Sequence, residues 1–476
     1  MTSDRQIRGA GARADGWLRG RSWRALALAV ALGAIALCAP RPAAADSPTV
    51  SDEEMAYYAL HALPAVPAQH EQALGWLAEH ADKRAVASLV QLMRWQPDDA
   101  ATLRKTLQKI TGSDAGDKWF DWMVWLQEHP QYDPYDGFAN FLGLSFASLD
   151  PQFLRFVHEG VQHDIRLEEI VWGGVRVDAT PALDNPKMIS AVDAEYLNPD
   201  DLVFGIEIAG DARAYPLRIV NWHEMVNDVV GGMPVSLAYC PLCNAGILYA
   251  TQVTGRDQPF TFGTSGLLFR SNKLMYDRST DSLWNQFTGR PVVGPLAGSD
   301  ISLKALPLVT TPWRLWRAKH PTGKVLSIDT GFSRDYAPDA VYHDYFGSKD
   351  LLFPVSVKDH RLQQKDIVFG VRAAGGTKAW PLTAFTGGKV IHDRVGQVDV
   401  VVVGNAEQRT VRAYESKGHK FTLSAPDLLR ASDGYWRVTE DALVHSDGKT
   451  LTRLPGHLAY WFAWSGFFEN AALGAN

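Results

Sequence analysis

The chain predicts an α+β fold, with a helical amino-terminal module followed by an internally duplicated, strand-rich domain. Three observations carry that expectation. Between about residues 68 and 128, apolar residues recur at three- and four-residue spacing, the period of a helix that buries one face. Beyond about residue 165 the pattern changes to short β-branched and aromatic runs broken by glycine turns, which is how strands read. Within that second region, Val203-Phe204-Gly205-Ile206 through Ala214-Tyr215-Pro216-Leu217 lines up with Val368-Phe369-Gly370-Val371 through Ala379-Trp380-Pro381-Leu382 at a constant offset of 165.

Residues 1–45 read as a secretory signal. Arg19, Arg21 and Arg24 precede an uncharged run from Ala25 to Pro40, and Ala43-Ala44-Ala45 offers a small-residue cleavage site before Asp46. An exported, periplasmic or extracellular protein is the expectation, with an uncleaved membrane anchor as the alternative and Cys38 as a weak lipidation candidate. Residues 1–45 carry seven Arg and two Asp, so the formal charge of −6 for the whole chain becomes −11 without them. That acidic balance argues against nucleic acid as a partner. Only Cys240 and Cys243 then remain of the three cysteines, too few for a disulfide framework in a chain of this size.

Residues 46–135 form the helical module. Helices are predicted near 68–80, 82–95, 98–110 and 117–128, punctuated by Pro97-Asp98-Asp99 and Gly112-Ser113-Asp114. The paired short helices and Trp119, Trp122 and Trp125 look like a degenerate HEAT-type array that would offer a surface to a protein partner, the alternative being a small bundle that only supports the rest. Pro130–Asp136 reads as a linker, and 136–164 as a helical linker into the duplicated domain, whose copies span about 165–330 and 331–476.

The copies differ where chemistry is to be expected. At the same offset Cys240 meets Asn405, Cys243 meets Gln408, His223 meets Gly388 and Glu224 meets Lys389. Every candidate ligand therefore sits in the first copy. The second copy reads Val400-Val401-Val402-Val403, Gly404-Asn405-Ala406-Glu407, Thr410-Val411-Arg412-Ala413-Tyr414, a strand, a turn and a strand, so Cys240 and Cys243 are expected at the tip of a β-turn. A thioredoxin-like dithiol uses a helix amino terminus to lower a thiol pKa, whereas a turn-borne Cys-Pro-x-Cys points both sulfurs at one metal. The expected ligand set is Cys240, Cys243 and His223, holding zinc or copper, with a local disulfide left open and, for His223, a histidine that only hydrogen-bonds within the core as the alternative. Asn244 after Cys243 disfavours covalent haem, and no phosphate-binding glycine loop is present. Glu224, Tyr239, Ser265, Asn272, Met275, Asp277 and Trp284 are candidates for a small pocket, although satisfied turns and a surface pair of Asp277 with Arg278 are the plainer reading for that stretch. His392-Asp393 and His343-Asp344 are weaker candidates for a metal.

Taken in order, Glu169-Ile170-Val171-Trp172-Gly173-Gly174, Pro181-Ala182-Leu183, Ala212-Arg213-Ala214-Tyr215-Pro216, Asn221-Trp222-His223-Glu224, Tyr239-Cys240-Pro241-Leu242-Cys243, Met275-Tyr276-Asp277-Arg278, Ser282-Leu283-Trp284 and Thr330-Gly331 resemble the prokaryotic family called domain of unknown function 3179. Asn285 stands where serine is expected and Asn244 where glycine is common. The resemblance implies a fold and directs attention to His223, Cys240 and Cys243; it names no reaction, substrate or catalytic residue. Three functions stay open at this point. The first is metal binding, the second thiol-disulfide exchange, and the third a non-catalytic envelope scaffold.

Overall fold

The computed structural model describes residues 50–63, 69–373 and 375–474, and the expected signal segment with Cys38 lies outside them. Among the described residues six helices come first, Asp52–His61, His70–His80, Val86–Trp95, Ala100–Thr111, Trp119–Glu128 and Phe138–Ala147. Ser51 and Glu54 form a reciprocal cap on the first, each side chain accepting the other's backbone N–H at 3.1 and 3.0 Å. Gly112, at φ 68°, ends the fourth in the left-handed conformation. The third helix is the hub: Val86 through Met93 are all buried, and it packs against the three helices that follow it. Two expected helices begin with a 3₁₀ turn, Lys83–Ala85 and Pro97–Asp99, and the helix at Asp52–His61 was not foreseen.

The module is docked onto the strand-rich region. Gln91 Nε2 donates to the carbonyls of Glu168 (3.3 Å) and Ile170 (3.4 Å). The Arg94 guanidinium donates to Trp172 O at 2.6 Å and lies over the rings of Trp95, Trp119 and Trp172.

In the strand-rich region the offset of 165 reappears element by element. Leu202–Ile208 and Asp211–Pro216 pair antiparallel, as do Ile367–Ala373 and Gly376–Pro381. Met233–Cys240 pairs with Ala245–Ala250, and Val398–Asn405 with Thr410–Glu415. Val309–Pro312 borders the first of these sheets and Gly456–Tyr460 the corresponding second one, each leading into a short helix, Trp313–Lys319 or Trp461–Phe467.

These helices lock onto their sheets by the same contact. A Cβ on Gly205 would lie 2.2 Å from Trp316 Cε3, and one on Gly370 would lie 2.1 Å from Trp464 Cζ3. Only glycine leaves room for the ring at either place.

Beyond the hairpins the copies diverge. In the first, Phe262–Phe269, Asn272–Asp277, Leu283–Asn285 and Arg290–Val293 join Ile170–Trp172 in a separate five-stranded sheet. In the second, the chain adds strands to the hairpin itself, making an eight-stranded sheet that curls toward closure, where Phe421 N donates to His392 Nε2 at 2.8 Å. The copies also share a buried ion cluster. Burial works against the Glu440 charge, but Arg412, Arg453 and Lys319 outweigh it and hold its carboxyl well below the usual range. Arg453 additionally donates to Leu308 O of the first copy at 2.9 Å.

The tryptophan contacts give opposite expectations for three glycines. Gly205→Ala and Gly370→Ala each lose about 1–3 kcal/mol through overpacking, read from urea or thermal unfolding. Gly75→Ala, on an exposed helical position with nothing within 4 Å of the added Cβ, gains about 0.5–1 kcal/mol in the same assay.

Candidate functional site

Cys240 is the last residue of Met233–Cys240, and Cys243 the last of the single 3₁₀ turn Pro241–Cys243. Proline suits the first position of that turn because its ring holds φ near the required value. Asn244, at φ 50°, then reverses the chain into Ala245–Ala250, and asparagine is among the few residues that tolerate this conformation. The motif sits on a β-turn, with no longer helix behind it.

The two sulfurs are 3.2 Å apart, belong to free thiols, and are 1% and 0% exposed. Asn272 Nδ2 donates to Cys243 Sγ at 3.3 Å and to Gln286 Oε1 at 2.7 Å. Gln286 Nε2 in turn donates to Ala238 O and Ala245 O, both at 2.8 Å, clamping the two arms of the hairpin just behind the thiols. Overhead lies the segment that links the copies. Its Tyr345 hydroxyl donates to Leu242 O at 2.7 Å, and its Tyr342 hydroxyl to Glu224 Oε1 at 3.2 Å.

A buried charge pair accompanies the thiols. Lys273 Nζ lies 3.1 Å from Glu224 Oε2, with the lysine side chain 5% exposed and the glutamate 15%. Burial alone pushes the Cys240 thiol up, but the hydrogen bond with Cys243, the Lys273 backbone amide and the Lys273 charge together bring it below its ordinary value, against the opposing Glu224 charge. Burial and the neighbouring Cys240 drive Cys243 well above the thiol range. The pair thus holds one proton tightly and the other loosely.

His223 stands apart from the sulfurs' hydrogen bonds. Its Nδ1 is 2.7 Å from Pro181 O, a pure acceptor, so Nδ1 carries the proton and Nε2 accepts from the Tyr336 hydroxyl at 2.5 Å. Both ring nitrogens are therefore committed to the core. Burial is the main reason its pKa falls to about 4. No group of three or more His, Cys, Asp or Glu side chains placed to hold a metal occurs among the described residues.

The other pocket candidates distribute as follows. Asn272 touches Cys243, Glu224 meets Lys273, and Met275 is buried in the same apolar cluster as the thiols. Ser265 Oγ donates to Leu274 O at 2.5 Å and accepts from Leu267 N. Asp277 accepts from Ser279, Thr280 and the indole of Trp284, tying a turn. The expected Asp277–Arg278 pair is not made, because Asp277 is saturated by that turn and Arg278 reaches Asp184 at 2.7 Å instead. His392 and His343 do not meet the thiols; His392 serves the barrel edge and His343 is exposed.

Lys273, Gln286, Tyr342 and Tyr345 were missed. Lys273 alone left a trace, as a cation inside the otherwise apolar run Leu274-Met275-Tyr276 and its strand partners.

Tyr239 and Asn244, which flank the motif, line a groove of about 1240 Å³ whose opposite wall comes from the second copy, with Glu407, Arg409 and Tyr460. Arg409 occupies the place of Asn244 at the repeat offset and shares its left-handed conformation, φ 52°. The Tyr239 hydroxyl is buried without a hydrogen-bond partner. Burial pushes Tyr239 well above the phenol range and Tyr460 up to about 12, and the Arg409 charge works against burial at both rings.

The chain belongs to the family described as "Protein of unknown function (DUF3179)", which matches residues 177–471. No curated protein and no solved structure matches.

Because folded His223 titrates near 4 and an unfolded histidine near 6.5, the unfolded chain binds more protons between those values. Its contribution is therefore present above about pH 6.5 and lost as pH falls through about 4. Wild-type unfolding free energy should drop by about 3 kcal/mol more over that window than that of His223→Gln, measured by urea titration at each pH.

Proposed function

We propose that Cys240 and Cys243 form a redox-active dithiol that cycles to a disulfide, and that the chain is an exported thiol-disulfide oxidoreductase. One observation carries the reading. Two free thiols 3.2 Å apart have their proton affinities driven in opposite directions beside a buried Lys273–Glu224 pair, which is the arrangement that readies one sulfur for attack and the other for resolution. The turn supplies no helix dipole, so the Lys273 amide and ammonium take that part. On this reading the HEAT-like helices are a docking face for a protein partner, and the second copy is scaffold that completes the groove.

A second reading, metal binding, draws on the amide donors aimed at the sulfurs, Asn272 to Cys243 and the Lys273 backbone to Cys240. With His223 engaged elsewhere the protein would supply two thiolates, a set that suits Cu(I) better than zinc.

The test equilibrates reduced protein in thiol-disulfide buffers of graded potential, then unfolds it and counts thiols beside elemental analysis of the untreated sample. The dithiol reading expects both thiols to disappear together over one transition, with the loss of two hydrogens by intact mass, and expects Cys240→Ser and Cys243→Ser to abolish it. Lys273→Met moves the pH midpoint for alkylation of Cys240 upward. Thiols that stay reduced at every potential, with near one equivalent of copper or zinc bound, would replace this reading with the metal one.

A further inference from the structure

The groove between the copies has a charge pattern that the dithiol alone does not explain. Of the three arginines on its wall, Arg218 is paired with Asp201 at 3.0 Å and Arg314 with Asp200 at 2.8 Å. Arg409 has no carboxylate within ion-pair distance among the described residues, is exposed, and is fixed by a left-handed backbone turn. Its neighbour Glu407 is turned to the Gly387 amide at 3.1 Å. Among the other acids on that wall, Asp366 accepts from Gln363 N at 2.9 Å and Asp201 also accepts from Asn198 N at 2.8 Å, while Asp350 and Asp339, the latter 4.0 Å from His343, line it as well. Lys365, over the rings of Tyr345 and Tyr460, already donates to Tyr345 O, and to Ser348 O at 2.7 Å, which leaves Arg409 as the cation with open donors for an anion.

Opposite these cations is a donor with nothing to donate to. The Tyr239 hydroxyl is buried, unpartnered and on the groove wall, one residue before Cys240. An unmet buried hydroxyl is costly unless a ligand completes it. An unpaired guanidinium and a free phenol around one cleft offer donors to a carboxylate or similar oxyanion.

We propose that this groove recognises a small carboxylate-bearing disulfide, its anionic group held by Arg409 with Tyr239 and Tyr460, as the substrate of the neighbouring dithiol. The volume, about 1240 Å³, accommodates a molecule of a few residues' size. The inference rests on the thiol-disulfide reading above. In the reaction the Cys240 thiolate attacks one substrate sulfur, breaking the substrate S–S bond and forming a mixed disulfide, and the first substrate thiol leaves. Cys243, as thiolate, then attacks the Cys240 sulfur, forming the protein disulfide and releasing the second substrate thiol. The two cysteine protons end on the two leaving thiols, so the protein dithiol is oxidised and one substrate disulfide is reduced to two thiols.

The experiment compares the rate of dithiol oxidation by glutathione disulfide, which is anionic, 2-hydroxyethyl disulfide, which is neutral, and cystamine, which is cationic. It uses full-length wild type and Arg409→Asn, which installs the residue that the first copy already carries in this conformation. Wild type should prefer glutathione disulfide over cystamine by at least about tenfold at low salt, and the preference should shrink as ionic strength rises. Arg409→Asn should cost about tenfold with glutathione disulfide and leave the neutral reagent within about twofold. Calorimetry with S-methylglutathione, which cannot exchange, reads the anion site separately.

Equal rates for the three disulfides, unchanged by Arg409→Asn, would overturn the anion site and leave the dithiol standing. Oxidation by none of them, with S-methylglutathione still bound through Arg409, would overturn the redox reading and keep the anion site. Neither oxidation nor binding would end both.

Discussion

Twice in this chain a tryptophan ring is pressed against a strand glycine at the place where a Cβ would stand, Trp316 on Gly205 and Trp464 on Gly370. The contact fixes how the short helix after each border strand crosses the central hairpin, because ring and backbone meet with no side chain to slide on. With that relation repeated, the strand bounds recur at one offset and the second hairpins leave the two sheets at equivalent points. The turns carrying Asn244 and Arg409 consequently reach one groove from opposite sides. A packing constraint repeated in both copies thus bears on which turn residues line the groove.

Electrostatics at the thiols follows from burial. An isolated thiolate there would be strongly disfavoured, and an isolated Lys273 ammonium equally so. Paired with Glu224, the ammonium is retained, and its field and the Lys273 amide lower the barrier to one thiolate. A second negative charge 3.2 Å away gains no matching cation. The first ionisation is therefore eased and the second suppressed, which is the split between Cys240 and Cys243. Asn272 and Gln286 keep the sulfurs in place without adding charge.

The repeat was legible because it is written in local patterns: valine runs, Ala-x-Pro endings and glycines at fixed spacing. The placement of the Cys-Pro-Leu-Cys turn followed from the second copy, where the same bend has no cysteines to confuse it. Helices with a strong apolar period were also readable, whereas Asp52–His61, with three acids in its first turn and two buried residues, carries little period. His223 could not be judged from sequence. Its ring is claimed by Pro181 and by Tyr336, which lies 113 residues downstream. Lys273, Tyr342, Tyr345 and Arg409 reach the site from separate strands and from the connection between copies, so no local spacing announces them.

Burial sets a limit on how the thiols meet any partner. Neither sulfur is accessible, and the segment over the turn is held by the Tyr345 bond to Leu242, the Tyr342 bond to Glu224, the Lys365 ammonium on Tyr345 O and Ser348 O, and the burial of Val341 and Tyr345. Exchange with a partner therefore requires that these bonds and the buried Tyr345 ring be displaced first. The Tyr342 bond ends on Glu224, the same carboxylate that balances Lys273. The covering segment and the Lys273 pair therefore share one carboxylate, whose charge opposes the Cys240 thiolate, so the Tyr342 hydroxyl on Glu224 is part of the field the thiols experience.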